Sequence, residues 1–321
     1  MIKKFFRDNP IHEKIANKFD LVFIFPFHHL FIVWGLIVLG ISSAYHYLLG
    51  FPHQPLFFGI KDLILFFSSA MIYFSVIALD SLSNKGQNSL NILLFPDMSS
   101  LSNKLSNYVK LMQLICILLG STISWLVSLI YILFILVSHF NLYTISDKKN
   151  WFLDSFLFYS ISLGILFYSI GWFFILSKSN FDILPSLIVF IKSIYPYIAV
   201  FFAISLVIYK SELDFNNIYD VKNISTISAI IILFVIIASW TLKDPVLTVA
   251  SIVSLPFYIY GIVRKTENDL VRMLRYSVFL FSFFPLTFYP LLSIAFIFNF
   301  YFCKYYFWHR YKIHFPAFAI D

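Results

Sequence analysis

The sequence predicts an all-α, polytopic integral membrane protein of about nine transmembrane helices, on three observations. Nine long apolar stretches fill the chain, at 21–49, 56–80, 108–120, 122–140, 151–177, 187–209, 224–242, 246–262 and 272–303, and the charges sit almost wholly between them. The stretches are continuous rather than alternating. A bilayer core about 30 Å thick takes roughly 20 apolar residues of helix, whereas barrel strands alternate apolar and polar positions. The chain is 60% hydrophobic and 12% charged, against about 25% charged in soluble domains. No sizeable soluble domain fits, and 1–321 reads as a single membrane domain.

The elements follow in order. Residues 1–20 are a basic leader in which Ile11, Ile15 and Phe19 stand at helical spacing, which predicts a short interfacial helix. The run 21–49 is too long for a signal-peptide core and is expected to remain as a helix. Val109 to His139 is too long for one span, so a tight reversal is expected at Gly120-Ser121-Thr122. The final run is interrupted by Pro285 and Pro290. Interior prolines kink or break helices, so this is one kinked helix or two short ones. Two helices would return the basic tail, 304–321, to the side of the N-terminus. Cys116 and Cys303 lie inside apolar runs and imply packed thiols, not a disulfide framework.

The net charge of +7 is distributed by side and does not point to nucleic acid. The leader carries Lys3, Lys4, Arg7, Lys14 and Lys18. Alternate loops carry Lys85 and Lys104, Lys148 and Lys149, Lys210 and Lys222, then Arg264, Lys265 and Arg272. The opposite loops hold Lys178 and Lys243, with Lys61 just inside the second run. The positive-inside rule predicts a multi-pass protein of the cell membrane with a cytoplasmic N-terminus. Four loops, 81–107, 141–150, 210–223 and 263–271, then face the cytoplasm.

Two of these loops hold the residues that suggest chemistry. Asp80 ends an apolar run and leads into Asn84, Lys85 and Asn88, and Asp214 follows another run. Mg²⁺ is held by one or two carboxylates together with substrate phosphates, so the pair is a candidate metal site for a diphosphate. Lys85, Lys148 and Lys222 are candidates for phosphate contacts. The plainer reading is that each Asp is solvated or caps a helix. His28 and His29 are adjacent, point about 100° apart on a helix and form no chelating pair. Asp62 follows Lys61 at a helix start, which suits a dipole interaction. No His-x-x-x-His, paired cysteines, Gly-rich phosphate loop or Gly-x-Ser-x-Gly is present.

The order of these pieces resembles the UbiA superfamily of intramembrane prenyltransferases, which have nine helices and Asp-rich cytoplasmic loops after the second and sixth. Four local matches carry the resemblance. Ala70 to Tyr73 leading to Asp80, Asn84-Lys85 and Asn88 is similar to the first motif. Leu153-Asp154 with Gly171-Trp172 is similar to the fifth span of a divergent branch. Leu242-Lys243-Asp244 with Ser254-Leu255-Pro256-Phe257 resembles the turn from the seventh span to the eighth. Lys304 to Tyr311, ending in Phe315-Pro316-Ala317-Phe318, resembles the family's tail. There are departures. The first motif, Asn-x-x-x-Asp-x-x-x-Asp, falls on Val76, Asp80 and Asn84. The second, Asp-x-x-x-Asp, falls on Asp214 and Ile218. Lys148 is retained where the family's preceding prolines are absent, and Phe25-Pro26 stands for Arg-Pro.

The resemblance implies transfer of a prenyl group from a polyprenyl diphosphate to a hydrophobic acceptor at the cytoplasmic membrane face. It implies Mg²⁺ on Asp80 and Asp214, with Asn84, Lys85, Asn88, Lys148 and Lys222 at the substrate. The lost motif acids suggest an alternative, a non-catalytic lipid-binding protein on the same fold. A secondary transporter, which would need broken helices and polar groups at the bilayer midplane, is the third reading, with Lys192 its one charged candidate.

Overall fold

The computed structural model describes residues 10–20, 22–50, 59–83, 102–144, 163–179, 182–212, 218–263, 267–287, 289–315 and 319–320. Its elements are α1 (Pro10–Lys18), α2 (Leu30–Leu49), α3 (Ile60–Ser83), α4 (Ser102–Ile123), α5 (Trp125–Thr144), α6 (Leu166–Ser179), α7 (Ile183–Ser193), α8 (Tyr195–Glu212), α9 (Ile218–Thr241), α10 (Pro245–Val263), α11 (Glu267–Leu286) and α12 (Pro290–Tyr311). Short 3₁₀ turns lie at Val22–Ile24 and Phe27–His29, and a two-residue β ladder pairs Ile313–His314 with Ala319–Ile320. Among the described residues six helices are long and apolar enough to cross a membrane. The pair α7–α8, bent by 53°, makes a seventh if counted as one span, and three shorter apolar helices accompany them. The protein is a polytopic helical membrane protein.

Apolar patterning sorts the helices into inner and outer. On α2 the residues from Leu30 to Ala44 are buried except Trp34, and on α6 every residue from Phe167 to Leu176 is buried. These two form the centre. One neighbourhood, α3, α4 and α5, packs on one side, and a second, α8 to α11, packs on the other. The outer helices keep exposed apolar stripes at helical spacing, such as Ile227, Ile230, Phe234 and Ile237 on α9. In lipid such stripes cost nothing, and close packing rather than water exclusion holds helices together. The central pair shows how. A Cβ placed on Gly40 would lie 1.9 Å from the Tyr168 carbonyl oxygen, and one on Gly171 would lie 2.0 Å from that of Ile37. Two glycines therefore let the α2 and α6 backbones touch.

Two boundaries differ from the sequence expectation or decide it. The reversal between α4 and α5 falls at Ser124, not at Gly120-Ser121-Thr122. The Ser121 and Thr122 hydroxyls donate back to the Leu118 and Leu119 carbonyls at 2.7 Å, so the helix continues past them. The run 272–303 is two helices. Thr287 and Tyr289 lie outside both helices, and Pro290 opens α12, where its missing N–H is no loss.

Candidate functional site

One end of the bundle is tied by two buried acids. Asp62, in the first turn of α3, is 1% exposed. It accepts the Gly59 amide at 2.8 Å and the Lys178 ammonium, from the last turn of α6, also at 2.8 Å. Asp244 sits in the turn between α9 and α10, where its carboxylate caps α10 by accepting the Leu247 amide at 3.1 Å. The Tyr197 hydroxyl, from the first turn of α8, donates to its other oxygen. Burial pushes the Asp244 carboxyl up from the ordinary range, opposed by these two donors. His46 of α2 reaches the Leu242 carbonyl at 3.3 Å, and Ser43 pairs with Tyr168 of α6. The end of α2, the starts of α3 and α8, the end of α6 and the α9–α10 turn therefore share one face.

It follows that α3 and α8 run away from this face. At 1.5 Å per residue, their 24 and 18 residues span about 36 and 27 Å. Their last turns, and the first turns of α9, lie at the opposite end.

That opposite end carries a clasp. Residues 10–20 and 22–29 lie along the end of α12. Arg310 donates to both oxygens of Asp20, at 3.1 and 3.2 Å, and the Tyr306 hydroxyl donates to the same carboxylate at 2.8 Å. The Phe23 and Tyr306 rings stack at 3.6 Å. Asn299 donates to the Phe27 carbonyl, and His12 bonds the Tyr305 hydroxyl at 2.9 Å. The tail end of α12 thus shares the face of the N-terminal segment. The His29 ring bonds the Tyr73 hydroxyl of α3 at 2.9 Å. Phe25 packs against Ala78, Leu79 and Val109, which brings the clasp to the last turn of α3.

The sequence-predicted site residues stand as follows. Asp80 belongs to the last turn of α3, at the clasp end. Lys222 lies near the start of α9, half-buried, and its carbonyl accepts the Thr226 hydroxyl at 2.9 Å. Asn84, Lys85, Asn88, Lys148 and Asp214 lie outside the described residues. Val76, on the first-motif position, is buried in the main apolar core and offers no ligand. Among the described residues no three His, Cys, Asp or Glu side chains are grouped to hold a metal. The Asp20–Arg310 clasp and the Asp62–Lys178 and Tyr197–Asp244 ties were not read from the sequence. Their partners stand 290, 116 and 47 positions apart, and only the loss of an isolated charge in lipid hints that each acid needs a partner. No family model, curated protein or solved structure matches the chain.

Proposed function

We propose that the chain is a divergent, UbiA-like intramembrane prenyltransferase of the cell membrane, acting at the face where α3 and α8 end. The observation that carries this reading is the common direction of those two helices. The helix end bearing Asp80, the end of α8 two residues before Asp214, and the start of α9 bearing Lys222 all belong to one end of the bundle. A site for a diphosphate needs that convergence, because its acids and lysines come from separate loops. The basic bias of the loops supports a cytoplasmic position for this face. In this reading the nine spans of the superfamily would correspond to α2 to α11, with α7 and α8 counted as one span, and α12 would follow them.

In this reading Asp80 and Asp214 would hold a single Mg²⁺. Two carboxylates with phosphate oxygens and water suit one such ion, and the apolar, buried Val76 supplies no donor toward a second. When bound, the ion supplies Lewis-acid charge to a departing diphosphate. Lys85, Lys148 and Lys222 offset the remaining phosphate charge, and Asn84 and Asn88 hydrogen-bond phosphate oxygens. The allylic C–O bond breaks with its electron pair leaving on the diphosphate. The carbocation left behind is stabilised by aromatic faces, then bonds to the acceptor, which loses a proton.

Titration of the purified protein with a prenyl thiodiphosphate, with and without Mg²⁺, tests this. Mg²⁺-dependent binding that falls at least tenfold in Asp80→Ala and in Asp214→Ala is the expected result. Binding without Mg²⁺ dependence would defeat the enzyme and favour a non-catalytic lipid-binding protein on the same fold, the reading that the burial of Val76 supports.

A further inference from the structure

The helix α1 has nine residues and four distinct sides. At about 100° per residue, His12 and Ala16 fall together, followed by Phe19. Ala16 is fully buried, His12 meets Tyr305 and His309, and Phe19 meets Phe302, so this side is docked on α12. Ile11 and Ile15 fall on the adjoining edge and remain 63% and 39% exposed. Lys14 and Lys18, both exposed, form the next stripe round, and Glu13 and Asn17 lie beyond them.

The depth of this helix comes from α12, independently. Leu291, Ile294, Phe298 and Tyr301 make the exposed apolar stripe of α12 and face hydrocarbon. One turn later the same stripe reads Lys304, Tyr305 and Trp308, the aromatic and basic composition of a membrane–water interface. Since α1 docks on Tyr305 and His309, it lies at headgroup level. Its isoleucine edge then meets the acyl boundary, its lysine stripe the phosphates, and Glu13 and Asn17 the water. The nearby acid Asp20 is already held by Arg310, which leaves the lysine stripe without a competing carboxylate from the clasp.

We infer that α1 is a binding lip for anionic phospholipid, with Lys14 and Lys18 on the headgroup phosphate and Ile11 and Ile15 against the first acyl methylenes. The lip serves the leaflet that the N-terminal face meets, and the inference does not depend on any prenyl-transfer activity.

Native mass spectrometry of the full-length protein in detergent tests it, by titration with phosphatidylglycerol and phosphatidylcholine of identical acyl chains. Each lysine near an anionic headgroup contributes about fivefold in binding, so phosphatidylglycerol is expected to be preferred by roughly 25-fold. Lys14→Gln with Lys18→Gln brings the two lipids near parity. Lys110→Gln, an exposed lysine on α4, leaves the preference intact, and excess inorganic phosphate does not compete. Equal binding of the two lipids by the unaltered protein overturns the inference. So does a preference that survives the double substitution, a loss as large in Lys110→Gln, or displacement by inorganic phosphate alone.

Discussion

Asp62 and Lys178 form an unequal pair, and the inequality is testable. Asp62 is 1% exposed while the Lys178 side chain is 37% exposed and also lies over the Phe174 ring. If Lys178 is removed, a buried carboxylate keeps, among the described residues, only the Gly59 amide. Stranding a buried charge costs about 3–5 kcal/mol. If Asp62 is removed, the ammonium swings to water, and the loss is nearer the ~1 kcal/mol of an exposed pair. Lys178→Ala is therefore expected to melt well below Asp62→Ala in detergent, by scanning fluorimetry, and the reverse order would contradict the burial. The sequence showed Asp62 beside Lys61, and a helix-dipole interaction sufficed to explain it. Lys61 is exposed, and the true partner comes from another helix end. Pattern within a segment cannot see such a pairing, because periodicity says which face is apolar and not which helix covers it.

At the scale of elements the apolar runs were legible and the contacts between them were not. Each run is helical where described, since twenty apolar residues in lipid have few alternatives, but 187–209 is divided between α7 and α8 and 272–303 between α11 and α12. The break of 272–303 was visible in Pro285 and Pro290, but only the docking of α12 on the N-terminal segment decides it. Gly40 and Gly171 carried no signal either, because small residues in an apolar helix look alike until a neighbour is known. Their contacts with carbonyl oxygens at about 2 Å cannot be relieved by a rotamer change, since both atoms are backbone. Gly40→Ala and Gly171→Ala are expected to force α2 and α6 apart and to cost several kcal/mol, in the range of severe overpacking. Gly50→Ala serves as the contrast. Among the described residues no atom beyond its chain neighbours lies within 4 Å of its added Cβ, and its φ of 69° brings only local strain, about 1 kcal/mol. Yields of folded protein and melting temperatures separate the two cases. Equal tolerance at all three positions would mean that the central pair is not packed backbone to backbone.

For the whole molecule, the decisive property is which ends share a face, and it bears directly on the proposed site. The candidate residues were chosen from loop composition. Most of them stand outside the described helices, so their convergence rests on the directions of α3, α8 and α9. Those directions follow from ties that composition could not reveal, Asp62 to Lys178 and Tyr197 to Asp244 at one end and Asp20 to Arg310 at the other. Labelling from one side of the membrane checks the arrangement. The native Cys116 and Cys303 are free and buried, so an impermeant thiol reagent has a quiet background. Single cysteines at Lys4, Asn88, Phe215 and Lys265 are expected to react from the same side, and one at Gln54 from the other. The positive-inside bias predicts that the first side is the cytoplasmic one. Reaction of Asn88→Cys and Phe215→Cys from opposite sides would separate Asp80 from Asp214 by the thickness of the bilayer. No diphosphate could then bridge them, and the prenyl-transfer reading would fail whatever either carboxylate binds alone. Reaction from a shared side leaves the two loops within reach of one headgroup, which is the geometry that a membrane-embedded allylic diphosphate requires.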